Sequence, residues 1–568
     1  MNFPPGYLTL FERSNFFESP CYDDTMKYFS QFEQTGKAEM FTFGISPQGR
    51  ELKFIVVGKD GDFTPQSARA NGKAVVLIQN GIHAGEIEGK DACMLMLREM
   101  LITKELSYLL DHLVLVIIPI LNVDGHERTS PFNRPNQNGP ATMGWRTTSW
   151  NLNLNRDYMK ADAPEMKALL QLYRDWLPDF CIDNHSTDGA NFRYHITYGI
   201  EQHVNIDREL ARWAIELLMP FVVERTESAG FVTGPYFELY GEELHEGFTD
   251  WPALPRYSTG YAAAQNRLCL LVETHSLKPF KNRVFSTKTM NTAVLEFINS
   301  QHKEVRDLNY FADANTVHEY RHERKLFPLV FKGTDEFEMF SFKGVESTQE
   351  ETDITGSNVT RYSDVPADFE IPFYRKAETT IEVEVPFAYA IPPEFAHLVD
   401  ILKLHGIETK QIHDGEKLSV ERYRFIDIEF APKPYEGRQR VSCNVELFRE
   451  NTFLPAGTFI VYTQQRTLRV IMHLLEPQSA DSFVSWGCFN AFFERKEYAE
   501  PYVMEPIARK MLEDDPKLRE EFEAKLADDD EFKNDPGVRL NFFYEHSPYF
   551  DKCERVYPIM RIPHKNSQ

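Results

Sequence analysis

Four short apolar runs punctuate the N-terminal half of the chain, and between them apolar residues recur at helical spacing. Ala74 to Gln79 (AVVLIQ), ended by Asn80-Gly81, reads as a buried strand with a turn after it. Leu113 to Ile120 (LVLVIIPI) is a second fully apolar strand, Phe180 to Ile182 a short third, and Arg267 to Thr274 (RLCLLVET) a fourth. Helices fill the intervals. In Glu86 to Ile102, Met94, Leu97 and Leu101, and Met96 with Met100, repeat at three- and four-residue spacing. Ala163 to Leu177 opens on Asp162, a good N-cap, with Pro164 just inside, and Pro178 stops it. Asp207 to Glu227 predicts a long helix with a kink at Pro220.

Apolar strands alternating with helices predict an α/β fold: a mainly parallel sheet covered by helices. Ligands gather beyond the carboxyl ends of such strands. His83, Asn122, His185 and Glu273 all follow or end the apolar runs, where that rule expects a site. The texture changes after about residue 320. Residues 335 to 385 are rich in Thr, Glu, Ser and aromatics, with strand-like alternation at Thr380 to Val385. Residues 505 to 535 are an acidic helical stretch, read as a solvated helix face. The expected division is a catalytic domain over 1–320 and an accessory region, β-rich and then helical, over 321–568. There is no internal repeat and no low-complexity tract.

Composition narrows the function classes. The chain has 568 residues, 42% hydrophobic and 26% charged, enough for a packed core. Its net charge of −24 argues against a nucleic-acid partner, which needs a basic surface to displace counterions. The seven cysteines are odd in number, scattered, and form no C-x-x-C pair, so a disulfide framework is not expected; Cys93, Cys181 and Cys269 read as buried free thiols. No apolar run is long enough to span a bilayer. The opening MNFPPGYLTLFER has neither a basic n-region nor an apolar h-region, which favours the cytoplasm among compartments the sequence leaves open.

Three groups of residues carry candidate chemistry. His83-Ala84-Gly85-Glu86 sets an imidazole and a carboxylate three residues apart at a loop-to-helix turn, and His185 ends another buried strand. Two histidines and a carboxylate suit a catalytic zinc ion, which keeps one position for water. Glu273 lies at the end of an apolar strand, where a carboxylate is costly unless it is paired, metal-bound or facing a cleft. Beside zinc it could relay a proton. Asp183, two residues before His185, could orient that imidazole, though a structural hydrogen bond explains it equally well. Gly144-Trp145-Arg146 and Asn151 to Tyr158 supply two arginines suited to carboxylate and oxyanion recognition. Each piece alone is common; H-x-x-E by itself is more often an ordinary turn.

In order along the chain, these pieces resemble the M14 family of zinc metallocarboxypeptidases, the carboxypeptidase A-like group. The series is H-x-x-E, Asn122 to Arg128 (NVDGHER), Trp145-Arg146, Asn155-Arg156, His185, Glu273. The likeness covers roughly residues 20 to 300. It implies a mixed, mainly parallel, twisted eight-stranded sheet between helices. It also implies one Zn2+ held by His83, Glu86 and His185, Arg146 as the oxyanion arginine, Asn155 and Arg156 as binders of the substrate's terminal carboxylate, and Glu273 as general base. Asp481 to Phe483, Lys496 to Tyr498 and Tyr557-Pro558 resemble the C-terminal extension of a larger bacterial branch. Two features depart from the family. Gly85 stands where several members carry arginine. Trp251 stands where they carry the tyrosine that caps the substrate, leaving Tyr257 as the preferred phenol over Tyr261.

The implied activity is hydrolysis of a C-terminal peptide bond, with a peptide or small amide bearing a free carboxylate as substrate. Two alternatives share the scaffold: a zinc amidohydrolase acting on small acylamino acids or peptidoglycan stem peptides, and a catalytically silent binding protein. The intact Glu273 argues against the silent form.

Overall fold

The computed structural model describes residues 3–187, 190–241 and 243–564. Its centre is a mixed eight-stranded sheet. The strands are β1 (Ala38–Ile45), β2 (Glu51–Val57), β3 (Ala74–Asn80), β4 (Leu113–Ile118), β5 (Phe180–Thr187), β6 (Ile196–Ile200), β7 (Thr233–Pro235) and β8 (Leu268–His275). Their spatial order is β1-β2-β4-β3-β5-β8-β6-β7. The central β4, β3, β5 and β8 run parallel, β1 and β2 close one edge antiparallel, and β6 returns antiparallel to β8.

Both faces of the central strands are buried, which is why their sequences read as continuous apolar runs. Val75 and Leu77 of β3, Val114, Val116 and Ile118 of β4, and Cys269 of β8 point into one core. Ala74, Val76 and Ile78, Leu113, Leu115 and Ile117, and Leu268, Leu270 and Val272 point into the other. The second core is closed by helix α1 (Glu88–Leu101) and by the long helix Phe280–Ser300. The first is closed by helix α2 (Pro164–Trp176) together with Tyr389, Leu402, Leu468 and Leu475 from the C-terminal half. One continuous core therefore joins residues on both sides of position 320.

That C-terminal half contains two long hairpins, Glu338–Thr352 with Ser357–Tyr374 and Glu416–Phe430 with Val441–Leu454. The acidic stretch folds into short helices between Pro501 and His546 around Leu518, Phe532, Phe542 and Phe543. All seven cysteines are free, with Cys93, Cys181 and Cys269 buried. No helix among the described residues is long and apolar enough to cross a membrane.

Three local expectations change. Asp162 does not cap α2: the N-cap is Ala163, with no side-chain bond, because the Asp162 carboxylate is engaged by Lys160 and Arg438. The first helix begins at Glu88 and not at Glu86, because a turn (Glu86 N–H to the His83 carbonyl, 2.9 Å) holds Glu86 at the sheet edge. At Pro220 the long helix absorbs the missing N–H with a π-turn over Ala214–Leu218, which splits Arg208–Trp213 from Met219–Ser228.

Candidate active site

The parallel pairing of β5 and β8 sets Glu273 directly beside His185, and β3 on the other side of β5 delivers the loop that carries His83 and Glu86. His83, Glu86 and His185 converge so that one ligand atom from each lies within 4.8 Å of the others. All three are buried. Both Nδ1 atoms point at the same Glu86 oxygen, at 3.2 Å for His83 and 3.0 Å for His185.

The far side of each imidazole is tied down. Asn153 Oδ1 accepts the Asn155 backbone N–H at 3.0 Å, which fixes its amide as the acceptor. His83 Nε2, 3.0 Å from the same oxygen, must therefore carry the proton, and its Nδ1 lone pair faces the cluster. His185 Nε2 likewise meets Asp183 Oδ2 at 2.9 Å. Burial lowers the His83 pKa to about 4, so its ring is neutral and ready to ligate. For His185 burial acts the same way, but the Asp183 and Glu86 carboxylates outweigh it and raise the pKa. Burial would raise Glu86, yet His83, Arg134 and His185 hold it well below the usual carboxylate range. Two imidazoles with oriented Nδ1 atoms and one ionised carboxylate are a donor set that fits zinc.

Glu273 faces this cluster. It is 8% exposed, and its Oε2 has no hydrogen-bond partner among the described residues. Burial first, with the nearby Glu86 and Asp183 carboxylates adding to it, lifts its pKa to about 8, against the opposing pull of His185. Arg146 donates to Glu86 Oε1 at 3.1 Å. Its backbone carbonyl is held by Asn122 Nδ2, and Asn122 also caps the Val123–Glu127 turn of helix, so NVDGHER serves as the bracket for Arg146.

The cluster sits where two lobes of a cleft meet. Both lobes are lined by His83, Arg146, Tyr236 and Glu273. One, about 310 Å³, continues past Asn155, Arg156, Tyr257 and Trp251; the other, about 440 Å³, continues past Arg134, Asn136, Trp145 and Thr187. Arg156 stacks 4.5 Å over the Tyr257 ring, and Asn155 Oδ1 accepts the Ser258 N–H at 3.2 Å. Tyr261 lies away from the cleft, 1% exposed and bonded to His405 and Gln265. His275 is also a packing residue, its ring 4.0 Å from that of Phe192.

Sequence reasoning passed over three contributors. Asn153 lies inside Asn151 to Arg156 (NLNLNR), a run in which only Asn155 and Arg156 stand out. Tyr236 follows the short edge strand β7, too brief to give a pattern. Arg134 reaches Glu86 Oε1 at 2.8 Å across Gly85, where an added Cβ would lie 2.9 Å from the Arg134 chain. A guanidinium thus stands over Gly85 although none is attached there.

Fold and donor set together define the class: a metallohydrolase built on a mixed eight-stranded sheet. The family model for zinc carboxypeptidases, Peptidase_M14, matches residues 26–216, which include all three donors, Arg146, Asn155 and Arg156. Carboxypeptidase 2 of Trichophyton tonsurans is 23% identical over 464 residues, 78% of each chain. Carboxypeptidase A6 of Homo sapiens is 33% identical over 96 residues, 16% of this chain and 20% of that one. Among solved structures, a metallo-carboxypeptidase from Burkholderia cenocepacia is 16% identical with a TM-score of 0.37, covering 49% of this chain and 69% of that one. Residues 26–216 are thus similar to the zinc carboxypeptidase family, and these likenesses support a hydrolase of the peptidase class with a C-terminal extension beyond the matched residues.

Proposed function

We propose that this protein is a zinc metallocarboxypeptidase that removes a single C-terminal residue, favouring a basic one. The observation that carries the reading is the meeting of two cleft lobes at His83, Arg146, Tyr236 and Glu273, with the paired Asn155 and Arg156 in one lobe only. A peptide laid across the junction sets its last residue in the 310 Å³ lobe and the rest of its chain in the other.

His83, Glu86 and His185 would hold the metal, which when bound supplies a Lewis acid for the scissile carbonyl and lowers the pKa of water. Arg156 and Asn155 dock the terminal carboxylate, the guanidinium offering charge-assisted hydrogen bonds. Arg146 offers its guanidinium to the carbonyl oxygen as negative charge builds there. Glu273, which the positive charge of a bound metal would keep ionised against the effect of burial, accepts the proton of the attacking water at Oε2 and passes it to the leaving amine. Asn153 and Asp183 keep both imidazoles in one tautomer and orientation.

The lobe for the last residue is lined by Glu201, Glu238 and Asp250 beside Ile200, Trp251 and Leu254. Glu201 accepts the Ala253 N–H and Asp250 accepts from Gln202 and faces His203 and Arg375, whereas the exposed Glu238 carboxylate has no partner among the described residues. Apolar walls with carboxylates suit the long stem and cationic head of lysine or arginine and repel an acidic side chain.

The test is hydrolysis of blocked dipeptides by the zinc-loaded full chain. Cleavage is expected with C-terminal Lys or Arg well ahead of Glu, and not with the C-terminal amides. Glu273→Gln should lower turnover by about 10²- to 10⁴-fold, the span of general acid–base catalysis, with zinc content unchanged. Full activity in Glu273→Gln, or equal cleavage of the amides, would defeat the assignment.

A further inference from the structure

The corner of the site that holds Asn155 and Arg156 is built against the C-terminal half of the chain. A tight turn between Ala431 and Arg440 touches it twice. Arg156 Nε donates to the Tyr435 hydroxyl at 3.0 Å, and the Asn153 backbone N–H donates to Glu436 Oε2 at 2.8 Å. The contacts reach both functional ends of the segment: Asn153 orients the His83 imidazole, and Arg156 lines the lobe for the last residue.

The turn has the marks of a part held in place for a purpose. Tyr435 and Arg438 form its closing bridge, with backbone bonds of 2.9 and 3.0 Å. Its central residues, Glu436 and Gly437, have φ of 49° and 73°. That is the two-residue hairpin geometry in which both positions need positive φ, and asparagine or glycine is the usual first residue. Glutamate in that position is strained, and its carboxylate is spent on Asn153. Arg438 grips Asp162 with two bonds, Nε to Oδ2 at 3.0 Å and Nη2 to Oδ1 at 2.5 Å. Behind the turn, the Tyr435 ring stacks on the buried Trp486 at 6.1 Å and 15°. Trp486 donates to Asp481, and Asp481 pairs with Arg256, next to Tyr257. The same C-terminal assembly thus holds the 153–156 segment and the 256–258 segment, which are themselves joined by the Ser258–Asn155 bond.

We propose, on the carboxypeptidase reading above, that Tyr435 is a positioning residue of the active site. It takes the Nε of Arg156, while Nη1 is taken by the Asn155 carbonyl at 2.8 Å, so that the remaining Nη2 is aimed for the substrate's terminal carboxylate. The C-terminal extension is then a working part of substrate recognition and not an appended module. Tyr435 itself is not in the cleft lining, so its effect must pass through Arg156.

The experiment uses the zinc-loaded full chain carrying Glu273→Gln, whose turnover is lowered by about 10²- to 10⁴-fold, and calorimetry with N-benzoyl-glycyl-lysine and its C-terminal amide. Adding Tyr435→Phe should weaken binding of the acid roughly tenfold, the size of one hydrogen bond to a charged group, and leave the amide unchanged. In an Arg156→Lys background, Tyr435→Phe should add nothing, since the guanidinium it holds is gone. With Glu273 restored, KM for the acid should rise while kcat stays within about twofold. Unchanged binding of the acid, equal loss for acid and amide, or full additivity with Arg156→Lys would overturn the proposal. A wild-type chain without zinc-dependent hydrolysis would sink the carboxypeptidase reading instead, whatever Tyr435→Phe does to binding; no binding of the acid by the parent protein would overturn both.

Discussion

Replacing Asn153 with alanine is the sharpest probe of how the proposed metal site is prepared. Its Oδ1 serves two donors at once, His83 Nε2 and the Asn155 N–H, each at 3.0 Å, in a residue only 9% exposed. Alanine leaves both donors without their acceptor. An unsatisfied buried donor costs about 1–3 kcal/mol, and two of them sharing one site set the expected loss for the metal-free protein at about 2–4 kcal/mol once partial relaxation is allowed. The functional effect is separate. Without an acceptor at Nε2, nothing selects the tautomer that frees Nδ1, and the ring can rotate away from Glu86. Loss of such an orienting partner lowers metal affinity about 10- to 100-fold. Zinc affinity is read by competition against a chromophoric chelator, and stability by thermal unfolding of the chelator-treated protein. Asn153→Asp, which keeps an acceptor for both donors, should retain zinc far better than alanine. If Asn153→Ala bound zinc within about twofold of wild type, the contact would be packing and the orienting role would be refuted.

Two further substitutions test the surroundings. Gly85→Ala should lower stability by about 1–3 kcal/mol, because the new Cβ would meet the Gly144 carbonyl at 2.8 Å and the Arg134 chain at 2.9 Å; an unchanged melting temperature would show that the loop yields freely. Glu165 is fully buried, and neither carboxylate oxygen has a hydrogen-bond partner among the described residues. Burial raises its pKa from 4.5 to about 7. The folded state then binds more protons than the unfolded state between those values, so stability falls as pH rises through that window. Glu165→Gln should therefore match wild type near pH 4 and exceed it at pH 8 by up to about 3 kcal/mol, and a pH-independent difference in melting temperature would contradict this.

Much of the fold, and the place of the candidate site within it, could be read from the sequence because the two obey the same periodicity. Apolar runs buried on both faces marked β3, β4 and β8, and the polar residues following or ending them marked where a site must lie. The order of His83, Glu86, Arg146, Asn155, Arg156, His185 and Glu273 carried the family likeness, since each type answers a chemical need of zinc hydrolysis. What the sequence could not reveal are choices made by contacts between distant segments. Asp162 has every local feature of a helix cap, yet Arg438 claims its carboxylate from 276 residues away. Gly85 reads as a lost arginine until Arg134, on another loop, is seen lying over it. Asn153 is one asparagine among three in NLNLNR, and only its distance to His83 singles it out. Tyr435 and Glu436 sit in a surface-like polar stretch with no pattern at all. Periodicity is a local property and survives in one dimension; hydrogen-bond partnership is decided by which turns the packed core brings together, and only the tertiary structure holds that information.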